Sequence, residues 1–218
     1  MDLYEGMRGA PTTRRFKDDD VPHDAIERAL ENARFAPSGG NRQGWRVIVV
    51  RDPQLRASLR DLYQPGWREY MQQTGGAHVL AHPDEFDARS VGHIRRADEY
   101  ANGLDQVPVH LVVGVRLEDL AVTDAKLSRQ SIVGGASVYP FVQNLLLALR
   151  AEGLGAALTT LLVPAEAEVK RLLEIPDGIA LAAHIGVGYR LDPWPARLAR
   201  KPVEEFAFAE RYGAPLSQ

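Results

Sequence analysis

The chain has 218 residues, 45% hydrophobic and 25% charged, a balance that fits one globular domain over 1–218 and excludes a disordered or fibrous polymer. Its formal net charge of -3 gives no bulk field for nucleic acid or an anionic membrane, so any anion must be recognised locally. Cysteine is absent, which excludes a disulfide framework and a thiolate metal centre.

The opening Met1-Asp2-Leu3-Tyr4-Glu5-Gly6 lacks the basic region and apolar run of an export signal, so the expected location is the cytoplasm. Asp24, with Glu27 three residues on, predicts a capped helix carrying Ile26, Ala29, Leu30 and Ala33 on one face and ended by Pro37. The apolar run 46–50 predicts a strand. Asp52-Pro53 opens a second helix marked by Leu55, Leu59 and Leu62. Residues 64–107 read as an irregular cover holding Trp67, Tyr70, Gly75, Gly76 and Pro83, with a charged helical piece near 94–102. The runs 109–115, 156–163 and 179–188 predict three more strands, and Pro164 starts a short helix with Val169, Leu172 and Leu173. Residues 130–149 carry no charge, but Gly134, Gly135, Pro140, Gln143 and Asn144 argue for a buried helix rather than a membrane span. Beyond Tyr189 the Pro-rich, basic tail cannot bury itself alone and is expected to wrap another surface.

Common catalytic signatures fail against these elements. Gly153-Leu154-Gly155 begins like a dinucleotide fingerprint, yet Leu158 replaces the last glycine and the segment leads from helix to strand, the reverse of the required order. His78 and His82 are four apart without an intervening Glu, and Pro83 follows, so no metal site is expected. Gly135-Ala136-Ser137-Val138-Tyr139 lacks the closing glycine of a nucleophile elbow.

Two features remain. One is the polar loop Ala36-Pro37-Ser38-Gly39-Gly40-Asn41-Arg42-Gln43-Gly44-Trp45, which presents backbone N–H groups, a hydroxyl and amides where a helix meets a strand. The other is a set of separated basic residues, Arg8, Arg14 and Arg15 with Thr12 and Thr13, then Arg200-Lys201. Guanidinium forks with hydroxyls suit a phosphate monoester.

In this order and spacing, Thr12-Thr13-Arg14-Arg15-Phe16, the Pro-Ser-Gly-Gly-Asn loop with Gln43 and Trp45, Gln143-Asn144-Leu145, Glu152-Gly153-Leu154-Gly155 and Arg200-Lys201-Pro202 resemble the nitroreductase family over nearly the whole chain. The resemblance implies an α+β three-layer sandwich, a mixed, mostly antiparallel sheet flanked by helices, and a homodimer exchanging C-terminal arms. It implies FMN as cofactor and NADPH or NADH as reductant. Arg14 and Thr12, with Arg8 and Arg15 as companions, would hold the flavin phosphate, joined by Arg200. Pro37, Ser38, Gly39, Asn41 and Gln43 would reach the flavin from the other subunit, and Leu158, Thr159 and Thr160 would lie against the ring. Ala10-Pro11-Thr12 departs from the Arg-Arg-Ser opening of many members, and Gly44 stands where many have proline. The implied reaction passes a hydride through the flavin to a nitroaromatic, quinone or activated alkene, with no side chain required as nucleophile or general base. Reductive dehalogenation, flavin fragmentation and a non-catalytic flavin-binding module are the alternatives. Trp67 and Tyr70, or a clamp of His93, Arg95 and Arg96, are the candidates for contacting an acceptor.

Overall fold

The computed structural model describes residues 2–216. Helix α1 (Leu3–Gly9) is capped by Asp2, whose carboxylate accepts the Glu5 N–H at 2.8 Å, and α2 (His23–Ala33) buries Ala25, Ile26, Ala29 and Ala33. Strand β1 (Trp45–Val50) leads to α3 (Pro53–Gln73), where Asp52 accepts from both Gln54 and Leu55 N–H at 2.9 Å and Pro53 occupies the first turn. Then come α4 (Gly76–Ala81), α5 (Ala88–Asn102), β2 (Val109–Arg116), α6 (Tyr139–Ala151), β3 (Leu154–Thr159), α7 (Glu166–Leu173) and β4 (Ile179–Tyr189).

The strands lie in the order β1-β2-β4-β3, each pair antiparallel. Strands β2 and β4 are buried almost throughout, which is why their sequences run apolar without alternation. Val109, Leu111, Val113 and Val115 of β2 pack with α2 and α6, whereas Val112 joins Leu59, Tyr63, Trp67, Ala97 and Val169 of α3, α5 and α7. Helices therefore cover both faces, the α+β three-layer arrangement expected. Fully buried leucines such as Leu59, Leu111 and Leu145 each contribute about 1.5–3 kcal/mol by leaving water. A parallel element exists as the isolated Thr12–Ala156 bridge.

Several boundaries differ from the sequence reading. The cap of α2 is Pro22, not Asp24; Asp24 instead accepts from Arg28 one turn on, at 2.6 Å. The segment 64–107 is mostly helical rather than irregular, because α3 runs through Pro65 to Gln73. Gly66 is a point of close approach rather than a breaker: a Cβ there would lie 2.9 Å from the Leu161 carbonyl oxygen. The charge-free run 130–149 is not one helix. Val133–Ser137 forms a 3-10 turn, and α6 begins at Tyr139 with Pro140 in its first turn. Strand β3 begins at Leu154 and stops at Thr159, whose hydroxyl accepts the Leu161 N–H at 3.2 Å and turns the chain. The proximal tail lies on its own protomer: Leu198 N–H donates to the Arg8 carbonyl at 2.8 Å. Among the described residues no helix is long and apolar enough to cross a membrane.

Candidate functional site

The loop 37–43 is held in a strained shape. Asn41 and Gln43 adopt φ of 54° and 51°, following the permissive Gly40 at 61°. Ser38 Oγ accepts the Gln43 N–H at 3.0 Å, Gly39 N–H donates to Ser137 Oγ at 3.1 Å, and Gln43 Nε2 donates to Asn41 Oδ1 at 3.2 Å. Ser137 is supplied by the segment after Asp124, which accepts from Ser131 Oγ, Ile132 N–H and Arg129. These bonds, the Ile132 backbone N–H foremost, hold the Asp124 carboxyl down at about 2. Pro37, Ser38, Gly39, Asn41 and Gln43 thus share one preorganised surface at the β1 end of the sheet.

The second group gathers on the opposite edge. Strand β3 is outermost there, and its Ala156 carbonyl accepts the Thr13 N–H at 2.8 Å, pointing away from β4. Peptide groups alternate along a strand, so the Leu158 N–H and C=O also face out of the sheet edge. Two cavities flank this edge, and both are lined by Thr12 and Leu158.

The larger, of about 440 Å³, is lined by Gln143, Leu146 and Arg150 of α6 together with Trp194 and Arg200 of the tail, and no carboxylate reaches it. The Arg150 guanidinium carbon stands 3.7 Å from the Trp194 ring centroid, and its Nε is buried without a hydrogen-bond partner. The smaller, of about 240 Å³, is lined by Tyr63, Trp67, Tyr70 and Tyr100, by Thr159 and Thr160, and by Arg14 as its one charged residue. Tyr63 Oη lies 3.4 Å from Thr159 Oγ1. Burial pushes the Tyr63 and Tyr100 hydroxyls up, and the Arg14 charge opposes the rise at both. Tyr100 Oη is buried without a partner and fits only because residue 186 is glycine, where a Cβ would approach it to 2.5 Å.

The expected phosphate group is therefore divided. Arg200 lines the larger cavity and Arg14 the smaller one beside the aromatic rings, with Thr12 lining both. Arg8 borders an adjoining cavity with Arg197, Lys201 and the same Arg200, its guanidinium 5.6 Å from the Tyr4 ring centroid. Arg15 is paired with Asp192 at 2.9 Å. Leu158, Thr159 and Thr160 all line the smaller cavity. The loop 37–43 does not join them within one chain: β1 and β3 are separated by β2 and β4, a breadth of about 14 Å at normal strand spacing. Sequence reasoning missed Arg150 and Trp194, since neither stands in a motif and their pairing needs the folded tail. It also missed Tyr63 and Tyr100, which stand in no motif and meet only through the fold. The clamp residues His93, Arg95 and Arg96 are absent from the lining of both cavities. Among the described residues no cluster of three metal-ligating side chains occurs.

The model of the nitroreductase family matches residues 7–189. The chain is 30% identical to an iodotyrosine deiodinase of Thermotoga neapolitana over 88% of this chain and 91% of that protein. It is 32% identical to an NADH dehydrogenase of Thermus thermophilus over 81% and 80%. A crystal structure of oxidized iodotyrosine deiodinase bound to FMN and 3-iodo-L-tyrosine superimposes with a TM-score of 0.69 at 26% identity, covering 98% of this chain and 100% of that one.

Proposed function

The chain belongs to the nitroreductase family, and from that premise we propose that it is a cytoplasmic FMN-dependent oxidoreductase that takes a hydride from NADPH or NADH and delivers it to a small electron acceptor such as a nitroaromatic, quinone or activated alkene. The observation that carries this reading is the pair of cavities on the open β3 edge, one cationic and free of carboxylate, the other aromatic. The residues present fit the cofactor: Arg150, Arg200 and Thr12 line one cavity with no carboxylate among its lining, so its cations have no counter-anion, as a phosphate site requires.

Bound FMN supplies the hydride chemistry itself. Thr12 and Arg200 hold the phosphate in the larger cavity. The outward Leu158 N–H, with Thr160 at the end of the strand, provides donors along the flavin edge. Arg14, in the smaller cavity, places a fixed positive charge where negative charge accumulates on reduction. Tyr63, Trp67, Tyr70 and Tyr100 keep water from that cavity and offer aromatic faces to a planar acceptor. No side chain acts as nucleophile or general base.

One protomer leaves the site incomplete. The loop 37–43, preorganised but far from β3, completes it from a second copy of the chain. A homodimer also gives cover to Leu3, Tyr4 and Met7 of α1 and to Phe206 and Tyr212 of the tail, all more than half exposed. The distal tail is the arm that embraces the partner.

The deciding experiment is an anaerobic absorption spectrum of the FMN-reconstituted protein before and after addition of NADPH and then NADH. Bleaching of the flavin bands by either donor supports the oxidoreductase. Persistence with both favours a non-catalytic flavin-binding module, and failure to bind flavin removes the reading. The similarity to iodotyrosine deiodinase favours reductive dehalogenation as the second reading, tested by release of iodide from an iodophenol under dithionite.

A further inference from the structure

Arg150 ends α6 and does not belong to any recognised motif. Two observations set it apart. Its guanidinium is stacked 3.7 Å from the Trp194 ring centroid, so the indole covers one face of the cation and fixes its plane. Its Nε is also shut off from solvent and has no hydrogen-bond partner among the described residues. The Nε has lost hydration without gaining a protein acceptor, while the side chain is only half-buried and lines the larger cavity, where an anion could meet the guanidinium.

The anion follows from what lines the same cavity. Arg200 and the Thr12 hydroxyl are there, and no carboxylate is. A phosphate monoester carries close to two negative charges at neutral pH, and Arg200 alone balances one. Of the other cations nearby, Arg15 pairs with Asp192, Arg190 donates to Thr13 Oγ1 at 3.2 Å, and Arg8 lies by the Tyr4 ring in an adjoining cavity that shares Arg200, without lining the larger cavity itself. We propose that Arg150, clamped by Trp194, is a ligand of the FMN 5′-phosphate and the residue that makes this chain prefer FMN to riboflavin. The inference rests on the cofactor reading above. Trp194 acts as a positioning residue, holding the fork at the angle from which two N–H groups reach one phosphate.

The test measures dissociation constants of the full-length apoprotein for FMN and for riboflavin by quenching of flavin fluorescence. Wild type is expected to bind FMN more tightly. Arg150→Leu is expected to weaken FMN by about 10- to 100-fold while leaving riboflavin within about 2-fold, since only FMN carries the charged acceptor. Arg150→Lys, which keeps the charge but not the paired donors, should retain part of the preference, and Trp194→Leu should lose part of it. An FMN preference unchanged in Arg150→Leu overturns the proposal. Equal loss of both flavins in Arg150→Leu with full preference in Arg150→Lys also overturns it, because the side chain would then be supporting the fold alone. If wild type itself binds the two flavins equally, it is the cofactor reading that fails.

Discussion

His110 Nδ1 lies 2.7 Å from His184 Nε2 in the middle of the sheet, the rings nearly parallel with centroids 4.9 Å apart. That bond needs one ring to donate and the other to accept, so at least one ring of the pair is neutral and a second protonation breaks it. Burial, with Arg56 adding to it, pushes His110 down to about 4. Burial first and His110 second drive His184 well below its ordinary value.

The sign for stability follows. Both folded-state values lie below the unfolded value of about 6.5, so the unfolded chain binds more protons in acid. The contribution is complete above about pH 6.5 and is lost progressively as the pH falls towards 4, with His110 accounting for about 3 kcal/mol. Urea denaturation between pH 4 and 8 should show this slope, and a His110→Gln/His184→Gln protein should show a shallower one. Identical slopes in the two proteins would remove the histidine pair as the cause.

The contact between Thr13 and Gly155 carries a second prediction. Thr13 is fully buried, and a Cβ on Gly155 would lie 2.6 Å from its Oγ1 and 2.8 Å from its Cβ. Gly155→Ala therefore forces apart the bridge that sets Thr12 against β3. A loss of about 1–3 kcal/mol is expected from chemical denaturation, together with weaker FMN binding. Wild-type stability in this variant would show that the segment moves freely, and Thr12 would then not be fixed at the site.

How much of this was legible beforehand depends on the range of the contacts involved. Strands β2 and β4 declare themselves through apolar runs, and α3 through Asp52-Pro53, because these signals act within a few residues. The segment 64–107 reads as irregular in the sequence, although α3 runs on through Pro65 and Gly66; the close approach that explains Gly66 is to Leu161, distant in the chain. The resemblance singles out Thr12, Arg14, Leu158 and Arg200 but not how they divide: Thr12 and Leu158 line both cavities, Arg200 the larger and Arg14 the smaller. Arg150 carries no local mark at all. Its meaning comes from Trp194, placed over it by a tail whose path no periodicity encodes.

Arg14 yields a third prediction. Arg14→Glu puts a negative charge in the smaller cavity, beside the flavin edge that must itself accept negative charge. Reduced FMN should be destabilised more than oxidised FMN, lowering the midpoint potential and weakening flavin retention by about 10-fold or more. Redox titration against a dye of known potential checks the first effect and gel filtration the second. An unchanged potential would place Arg14 away from the flavin edge.

The aromatic cavity also limits which acceptors enter. Tyr63, Trp67, Tyr70 and Tyr100 line it, Arg14 supplies a positive charge, and no carboxylate lines it. The carboxylate bonded to the Trp67 indole is spent: Asp98 Oδ1 accepts Trp67 Nε1 at 2.8 Å, and its Oδ2 accepts Asn102 Nδ2 at 3.0 Å. An amino-acid substrate is a zwitterion: its carboxylate can meet Arg14, but its ammonium group finds no carboxylate in the lining, and both charges must be desolvated to enter. A neutral phenol of the same ring size carries no such cost. The FMN-loaded protein should therefore bind 2-iodophenol more tightly than 3-iodo-L-tyrosine, by about 10-fold, as read from perturbation of the flavin absorption bands. The reverse order would mean that a carboxylate from outside this lining, such as one from a second copy, enters the cavity when the amino acid binds.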